Sequence, residues 1–318
     1  MISTDGTPDG DRYPFPAYPN GWFRVAYSTD LAPGDVKGLS YFGRELVAYR
    51  DADGEAHVLD AYCPHLGAHL GFGGEVHGKD IRCPFHAWKL GPDGKCTEIP
   101  YAKRIPPNAQ IKSWPVMEQN GIVFVWHHAD DAEPTYEIPA LEGVHDPAWR
   151  PLEVHYWKMR ARWLDMNENC VDAAHFKYVH GVLTIPTSTV REDGHVFAVT
   201  SRFTQKAPGD STAEGELTTT EYGPGFQHVS QGGIIDSLLM NTATPIDEEY
   251  TDVSFAYSVK TEGDPRKEKL ATKVVADLVR QFENDKPIWE NKACWRRPRL
   301  CDGDGPVSQY RKWYAQFF

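Results

Sequence analysis

The stretch Cys63–Trp88 reads CPHLGAHLGFGGEVHGKDIRCPFHAW. Two short loops of one design open and close it, Cys63-Pro64-His65 and Cys83-Pro84-Phe85-His86, with seventeen residues between His65 and Cys83. Each loop carries one Cys and one His, with Pro directly after the Cys. Gly67, Gly71, Gly73, Gly74 and Gly78 supply tight turns between them. Two thiolates and two imidazoles make a ligand set for a transition metal. A structural zinc site is the plainest alternative, because Cys2His2 also suits Zn2+. A zinc finger places both Cys in one loop and both His on a following helix; here each loop mixes one of each.

The mixed pairing is the ligand set of a Rieske [2Fe–2S] cluster, with two Cys on one iron and two His on the other. Histidine ligation raises the cluster potential, so this cluster is expected to accept an electron readily and to pass it on. The flanking sequence predicts short strands and turns from about Gly21 to His128. RELVAYRDADGEAHVLDAYC reads as a hairpin turning at Asp53-Gly54, GIVFVWH (121–127) as an apolar strand, and KLGPDGKC as a repeat of that turn chemistry near 91–95. HHADDAEPTYEIP, beginning at His127, is polar and Pro-containing and reads as a linker. Beyond it the sequence predicts a helix carrying NENCVDAAHFKYVH, a strand-rich stretch from about His195 to Lys260, and a last long helix from about Pro265.

The chain has 318 residues, enough for two domains, with 41% hydrophobic residues and 10 Trp, 15 Tyr and 14 Phe to fill a core. A net charge of −12 argues against a nucleic-acid partner. No run of 18 apolar residues predicts a membrane span. The start, MISTDGTPDGDRYPFPAYP, has neither the basic nor the apolar region of a signal peptide and reads as a flexible lead-in over 1–20. Cys96, Cys170, Cys294 and Cys301 form no disulfide framework and read as free thiols, which fits a cytoplasmic protein.

A second constellation lies in Glu168-Asn169-Cys170-Val171-Asp172-Ala173-Ala174-His175-Phe176-Lys177-Tyr178-Val179-His180. Asp172 and His175 are three apart and share a helix face. His175 and His180 are five apart and diverge by about 140° on a regular helix. They converge if the helix ends between them, and Gly181 suits such an ending. Two His and one carboxylate make the facial triad of non-haem Fe(II) oxygenases. In the last helix Leu270, Val274, Leu278, Phe282 and Trp289 form an apolar stripe on which Asp285 sits. A carboxylate on a buried stripe is costly unless paired or metal-bound, so Asp285 is the candidate third ligand. Asp277 and Glu283 fall off the stripe.

CPHLG, CPFHAW, ENCVDAAHFKYVH and FENDKPIWENK together resemble the oxygenase component of Rieske non-haem iron oxygenases, from about Gly21 to the chain end. DAYCPHLGAHL, CPFHAWKLGPDGKCTEIPYAKRIPP and DGPVSQYRKWYAQFF are most similar to 3-ketosteroid 9α-hydroxylase oxygenases, with cholesterol 7-desaturases sharing such features. The resemblance implies an α+β chain: an N-terminal all-β Rieske [2Fe–2S] domain (21–130), then a C-terminal helix-grip catalytic domain with an antiparallel sheet (131–318). It implies Cys63, His65, Cys83 and His86 as cluster ligands, and His175, His180 and Asp285 as ligands of a mononuclear Fe(II) with open positions for O2. It implies a homotrimer in which Asp172 bridges His86 of one subunit and His175 of the next, a carboxylate partner orienting each imidazole. Asn169 is placed near the iron, where a role with bound water or oxygen competes with plain helix surface. Electrons are expected from NAD(P)H through a separate flavin reductase, with or without a ferredoxin. The chain itself shows no GxGxxG fingerprint after a strand.

The implied reaction is hydroxylation of a hydrophobic, steroid-like substrate. Desaturation, O- or N-demethylation and aromatic dihydroxylation use the same scaffold. From another class, a non-catalytic Rieske electron carrier competes, and it would hold two irons where the oxygenase holds three. Phe226, Ile234, Ile235, Leu238, Leu239 and Met240, with Phe176 and Tyr178, are the candidate pocket residues, although ordinary core packing is the better explanation of such a run.

Overall fold

The structure is a computed structural model that describes residues 15–207, 211–232 and 235–318. Most of the expected lead-in therefore lies outside the described residues, as does Ile234. The chain forms two compact units, one of Asn20–Ala140 with Thr244–Glu248, the other of Leu141–Ala243 and Glu249–Phe318 with Phe15–Pro19.

The first unit is all-β. Its strands are β1 (Gly21–Tyr27), β2 (Val36–Tyr41), β3 (Arg44–Arg50), β4 (Ala56–Asp60), β5 (Glu75–His77), β6 (Asp80–Arg82), β7 (Lys89–Leu90), β8 (Cys96–Glu98), β9 (Ser113–Trp114), β10 (Val116–Gln119) and β11 (Ile122–His127). They make three antiparallel sheets, β1-β11-β10, β2-β3-β4-β9 and β5-β6-β7-β8. β1 is buried along its whole length, Arg24 included, and the apolar β11 is buried up to His127. The β3–β4 hairpin turns where expected. Gly54 sits at φ 89°, and Asp51 Oδ1 accepts the Asp53 and Glu55 amides at 2.9 Å. The β7–β8 turn needs Gly94, because a Cβ there would lie 2.1 Å from the Ile111 carbonyl oxygen.

The stretch read as a linker is pinned to this unit. Indole and amide N–H groups that burial would otherwise strand find carbonyls there. Trp126 Nε1 donates to Ala132 O at 2.8 Å, Trp22 Nε1 to Tyr136 O at 2.7 Å and Asn120 Nδ2 to Pro139 O at 2.9 Å.

The second unit is one seven-stranded antiparallel sheet with helices. Its strands are β12 (Glu153–Met159), β13 (Thr187–Asp193), β14 (Val196–Ala207), β15 (Ser211–Tyr222), β16 (Phe226–Gly232), β17 (Ser237–Pro245) and β18 (Thr251–Val259), in the order β12-β18-β17-β16-β15-β14-β13. The strand-rich stretch thus begins at Thr187, ahead of the expected His195. Helix α3 (Pro265–Asn291) starts at a capped N-terminus: Asp264 accepts the Arg266 amide, and Pro265 occupies the first turn. Ala271, Val275, Phe282, Asp285 and Trp289 form its buried face. In its first turns that face lies one residue past Leu270 and Val274, the positions the sequence pattern suggested; small Ala271 packs with Tyr257 and Val259 instead.

One single helix was expected over 168–180; the chain makes three short pieces. α1 (Trp163–Asn167) runs into a 3-10 turn (Glu168–Cys170), and α2 (Ala173–Tyr178) starts afresh. The restart is Asp172, whose side chain accepts from the Ala174 and His175 amides as an N-cap. Gly305 leans on the break, where a Cβ would lie 1.6 Å from the Val171 carbonyl oxygen. The last helix, α4 (Val307–Tyr314), buries Tyr310, Trp313 and Tyr314, and its Arg311 pairs with Glu168.

Candidate metal centres and the cavity between sheet and helix

The two Cys–His loops of the first unit repeat one backbone scheme. Cys63 N donates to Ala68 O and Gly67 N to Cys63 O; Cys83 N donates to Trp88 O and Ala87 N to Cys83 O, all within 3.1 Å. Four residues after each Cys the chain turns left-handed, at Gly67 (φ 73°) and at Ala87 (φ 58°). A side chain there costs about 1–2 kcal/mol, so the second loop holds strain that the first avoids with glycine. Both thiols are buried. The His65 and His86 rings lie 4.7 Å apart, and His65 stacks on Trp88 at 4.6 Å. Burial, with the Cys83 thiol beside it, pushes Cys63 up to about 11. His86 Nδ1 is buried and without a hydrogen-bond partner. Two neighbouring thiols and an orphaned imidazole nitrogen fit a [2Fe–2S] cluster. Leu66, Phe72 and Phe85 stand exposed around this end of the unit.

In the second unit, α2 stops after Tyr178, with Val179 as its cap and Gly181 at φ 75°. That ending swings His180 back toward His175, and their rings lie 5.1 Å apart. Asp285 Oδ2 comes from α3 to 3.2 Å from His180 Nε2. The donor atoms of His175, His180 and Asp285 all lie within 4.8 Å of one another. His175 Nδ1 donates to the backbone carbonyl of Asp172, which fixes the ring and leaves Nε2 for the centre. Burial holds His175 below its ordinary pKa, in the neutral form that ligates. The donor set and its burial fit a divalent metal of the facial-triad kind. The competing acids point elsewhere: Asp277 accepts from Arg280 and Gln281, and Glu283 from Trp157 Nε1. Asp51, Glu55 and His57 also cluster, but Asp51 is engaged in capping its hairpin turn and in bonding His57.

The three-residue centre opens on a cavity of about 160 Å³ between the sheet and α3. Alternate residues of successive strands line it: Leu217 and Thr219, Gln227 and Val229, Leu239 and Asn241, Phe255 and Tyr257. Strand alternation explains which pocket candidates fall there. Phe176 and Leu239 line the cavity. Leu238 and Met240 flank Leu239 on the opposite face of β17 and are buried in core, as is Phe226 on β16. Ile235 packs beside Leu239 in the Tyr257 cluster, and Tyr178 is exposed. Asn169 lines the cavity and accepts from Trp289 Nε1 at 3.3 Å. Asp172 lies outside the lining, at the α2 cap.

Sequence reading missed the polar wall. Gln227 Nε2 donates to Asn167 Oδ1 and Asn241 Nδ2 to Gln227 Oε1, each at 2.6 Å. Behind them Glu221 is fully buried, accepting from Tyr310 Oη at 3.0 Å and Cys170 Sγ at 3.5 Å. Gln227 is buried beside Phe226 at the start of β16, whose later residues are half-buried or exposed. Burial pushes Glu221 up to about 8, against the donors of Tyr310, Asn167, Cys170 and Trp163. A carboxyl raised on folding favours the folded state below its ordinary 4.5, and that contribution is lost as pH climbs to about 8. Melting stability is therefore expected to fall across that window, with a limiting slope of about 1.4 kcal/mol per pH unit. Glu221→Gln should flatten the slope in a pH series of thermal melts; an unchanged slope would assign it to other groups.

Residues 21–115 match the Rieske [2Fe-2S] domain, and residues 125–318 match the 3-ketosteroid 9alpha-hydroxylase C-terminal domain. The chain is 32% identical over 333 residues to cholesterol 7-desaturase of Xenopus laevis, covering 95% of this chain and 72% of that one. It is 34% identical over 321 residues to a 3-ketosteroid-9-alpha-monooxygenase oxygenase component of Rhodococcus rhodochrous, covering 95% and 84%. Dicamba monooxygenase bound to dicamba shares the fold at a TM-score of 0.76 and 19% identity, over 94% of this chain and 96% of that one. NdmA of Pseudomonas putida with caffeine shares it at 0.70 and 22%, over 92% and 89%.

Proposed function

We propose that this chain, which belongs to the 3-ketosteroid 9α-hydroxylase family of Rieske oxygenases, hydroxylates a hydrophobic, steroid-like substrate. It is a Rieske-type oxygenase carrying a [2Fe–2S] cluster. One observation carries the reading of its chemistry: His175, His180 and Asp285 converge at the mouth of a largely apolar cavity in the chain that also holds the cluster loops. In this reading Cys63, His65, Cys83 and His86 hold the cluster, and the three converged residues hold a mononuclear Fe(II). That iron would supply activation of O2, with electrons from NAD(P)H through a separate reductase or ferredoxin. The protein's own part is positional. Asp172 O orients His175, Asn169 and Trp289 brace one wall, and the apolar wall holds the substrate against the centre.

Across copies, Asp172 is proposed to meet His86 of a second copy in a trimer. The exposed Leu66, Phe72 and Phe85 support such docking of the cluster end. Among the described residues no helix is long and apolar enough to cross a membrane; we place the protein in the cytoplasm, where its free cysteines would stay reduced.

A second reading rests on the cavity itself. Its volume of about 160 Å³ is close to the roughly 150 Å³ that houses one benzene ring. A one-ring substrate, and with it demethylation or aromatic dihydroxylation, is the alternative. A single-turnover assay separates the two. Chemically reduced protein with both metal sites verified is mixed with O2 and a panel of small steroids and aryl methyl ethers, and products are read by mass spectrometry. One added oxygen on a steroid is the expected result. Loss of two hydrogens would make it a desaturase, and turnover of the ethers alone would refute the steroid reading.

A further inference from the structure

We infer that Glu168, gripped from two sides by Lys292 and Arg311, is a positioning residue that sets Asp285 against His175 and His180. This rests on the reading of those three as an iron site, and deepens it by naming what holds its two halves together.

The three donors come from two separate segments. His175 and His180 belong to the stretch 163–180, and Asp285 belongs to α3. Neither segment is rigid by itself. The first is broken into pieces of five, three and six residues, too short to hold on their own hydrogen bonds. The second carries Pro287 two residues past Asp285. Proline removes a helix hydrogen bond, so the direction of the helix end is open to what it touches.

What it touches is the first segment, at three levels. Asp285, Trp289 and Lys292 are four and three apart and share one side of the helix end. Asp285 Oδ2 lies 3.2 Å from His180 Nε2, and Trp289 Nε1 donates to Asn169 Oδ1 at 3.3 Å. Lys292 Nζ donates to Glu168 Oε2 at 3.3 Å and to the Asp165 carbonyl at 3.0 Å, and stands 3.4 Å from Asp165 Oδ1. The Lys292 level is the anchored one. Glu168 gives its other oxygen to Arg311 Nε of α4, and the same guanidinium donates to the Trp295 carbonyl. Charge-assisted bonds are roughly twice as strong as neutral ones, so this contact outweighs the Trp289–Asn169 bond. Glu168 is only 8% exposed, and salt screens a buried pair little. One carboxylate thus ties the end of α3, α4 and the histidine-bearing stretch at a single point.

The test uses protein with its cluster intact. Fe(II) is titrated against a competing chelator, and the nitric oxide adduct of the bound iron is read by EPR with the cluster oxidised. Glu168→Gln keeps the size and one acceptor oxygen but turns N–H on one of the two cations. It should weaken Fe(II) binding about tenfold, the lower end for a residue acting through a metal ligand, and change the rhombicity of the nitrosyl signal. Lys292→Met removes the α3 contact and leaves the Glu168–Arg311 pair, so it keeps the test available should Glu168→Gln fail to fold; the same weakening and altered signal are expected. The double variant should bind no more weakly than Glu168→Gln alone, because both act through one contact. Asp264→Ala, which uncaps the far end of α3, is the control: its melting temperature should fall while iron affinity and signal stay at wild type. Wild-type affinity and signal in both clamp variants overturn the inference, even where they melt lower, and leave the iron reading standing. Additive losses in the double variant overturn it too, as does an equal loss in Asp264→Ala, since affinity would then follow general stability. A wild-type protein that takes up no iron beyond the cluster's own two overturns both.

Discussion

Asp285→Ala is expected to abolish substrate oxidation while the cluster keeps its absorption and EPR signature. Asp285 is the one carboxylate of the converged set and lies on the buried face of α3. Its removal leaves two neutral imidazoles, with no anionic donor to hold a hard divalent iron. Losing a mere outer partner of a metal costs about 10–100-fold in affinity, so losing a ligand should cost more than about 100-fold. Iron analysis should fall from three per chain to two, and single-turnover product should vanish. Thermal melting of the variant checks folding separately, because the substitution also removes the contact between Asp285 Oδ2 and His180 Nε2. Asp277→Ala is the control: that carboxylate pairs with Arg280 and Gln281 on the exposed face and should leave iron and turnover intact. Full iron and turnover in Asp285→Ala would remove Asp285 from the centre.

What the sequence disclosed about this molecule follows the range over which each feature is encoded. The four residues proposed to hold the cluster fall between Cys63 and His86, and the turns that gather them are set by local Pro and Gly. His175 and His180 are equally local, and Gly181 marked the helix ending that brings them together. Asp285 is more than a hundred residues away, yet an acid on an apolar stripe at helical spacing is visible in one dimension. The polar wall has no such signature. Asn167, Glu221, Gln227 and Asn241 come from α1, β15, β16 and β17, and only the register that sets Glu221 opposite Gln227 and Gln227 opposite Asn241 gathers them. The pocket run failed for a related reason. Consecutive residues of β17 point to opposite faces, so Leu239 meets the cavity while Leu238 and Met240 go to core. The split at Asp172 was readable in principle, since Asp is a strong N-cap, but helical spacing across 168–180 hid it.

Asp172→Asn should retain both metal sites and lose coupled turnover by about 100-fold, the upper range for a residue acting through a metal-bound histidine. The substitution is informative because Asp172 has three separable duties. Its Oδ1 caps α2, accepting from Ala174 N at 3.0 Å and His175 N at 3.2 Å. Asn keeps that oxygen and is as good an N-cap, so the helix start should hold. Its backbone carbonyl accepts a hydrogen bond from His175 Nδ1, and no side-chain change touches that. What Asn removes is the negative charge and the second acceptor. In the proposed bridge, the Asn amide N–H would face the ring N–H of His86 from the second copy, donor against donor. Electron passage between copies should then fail although each copy keeps its irons. The discriminating readout is the rate at which O2 and substrate reoxidise the reduced cluster, which a purely structural cap would not alter. Asp172→Ala is the weaker experiment, because it also removes the cap and costs about 1 kcal/mol of stability. Reoxidation and coupled product at wild-type rates in Asp172→Asn would confine Asp172 to capping α2, and the path between copies would have to run through other groups.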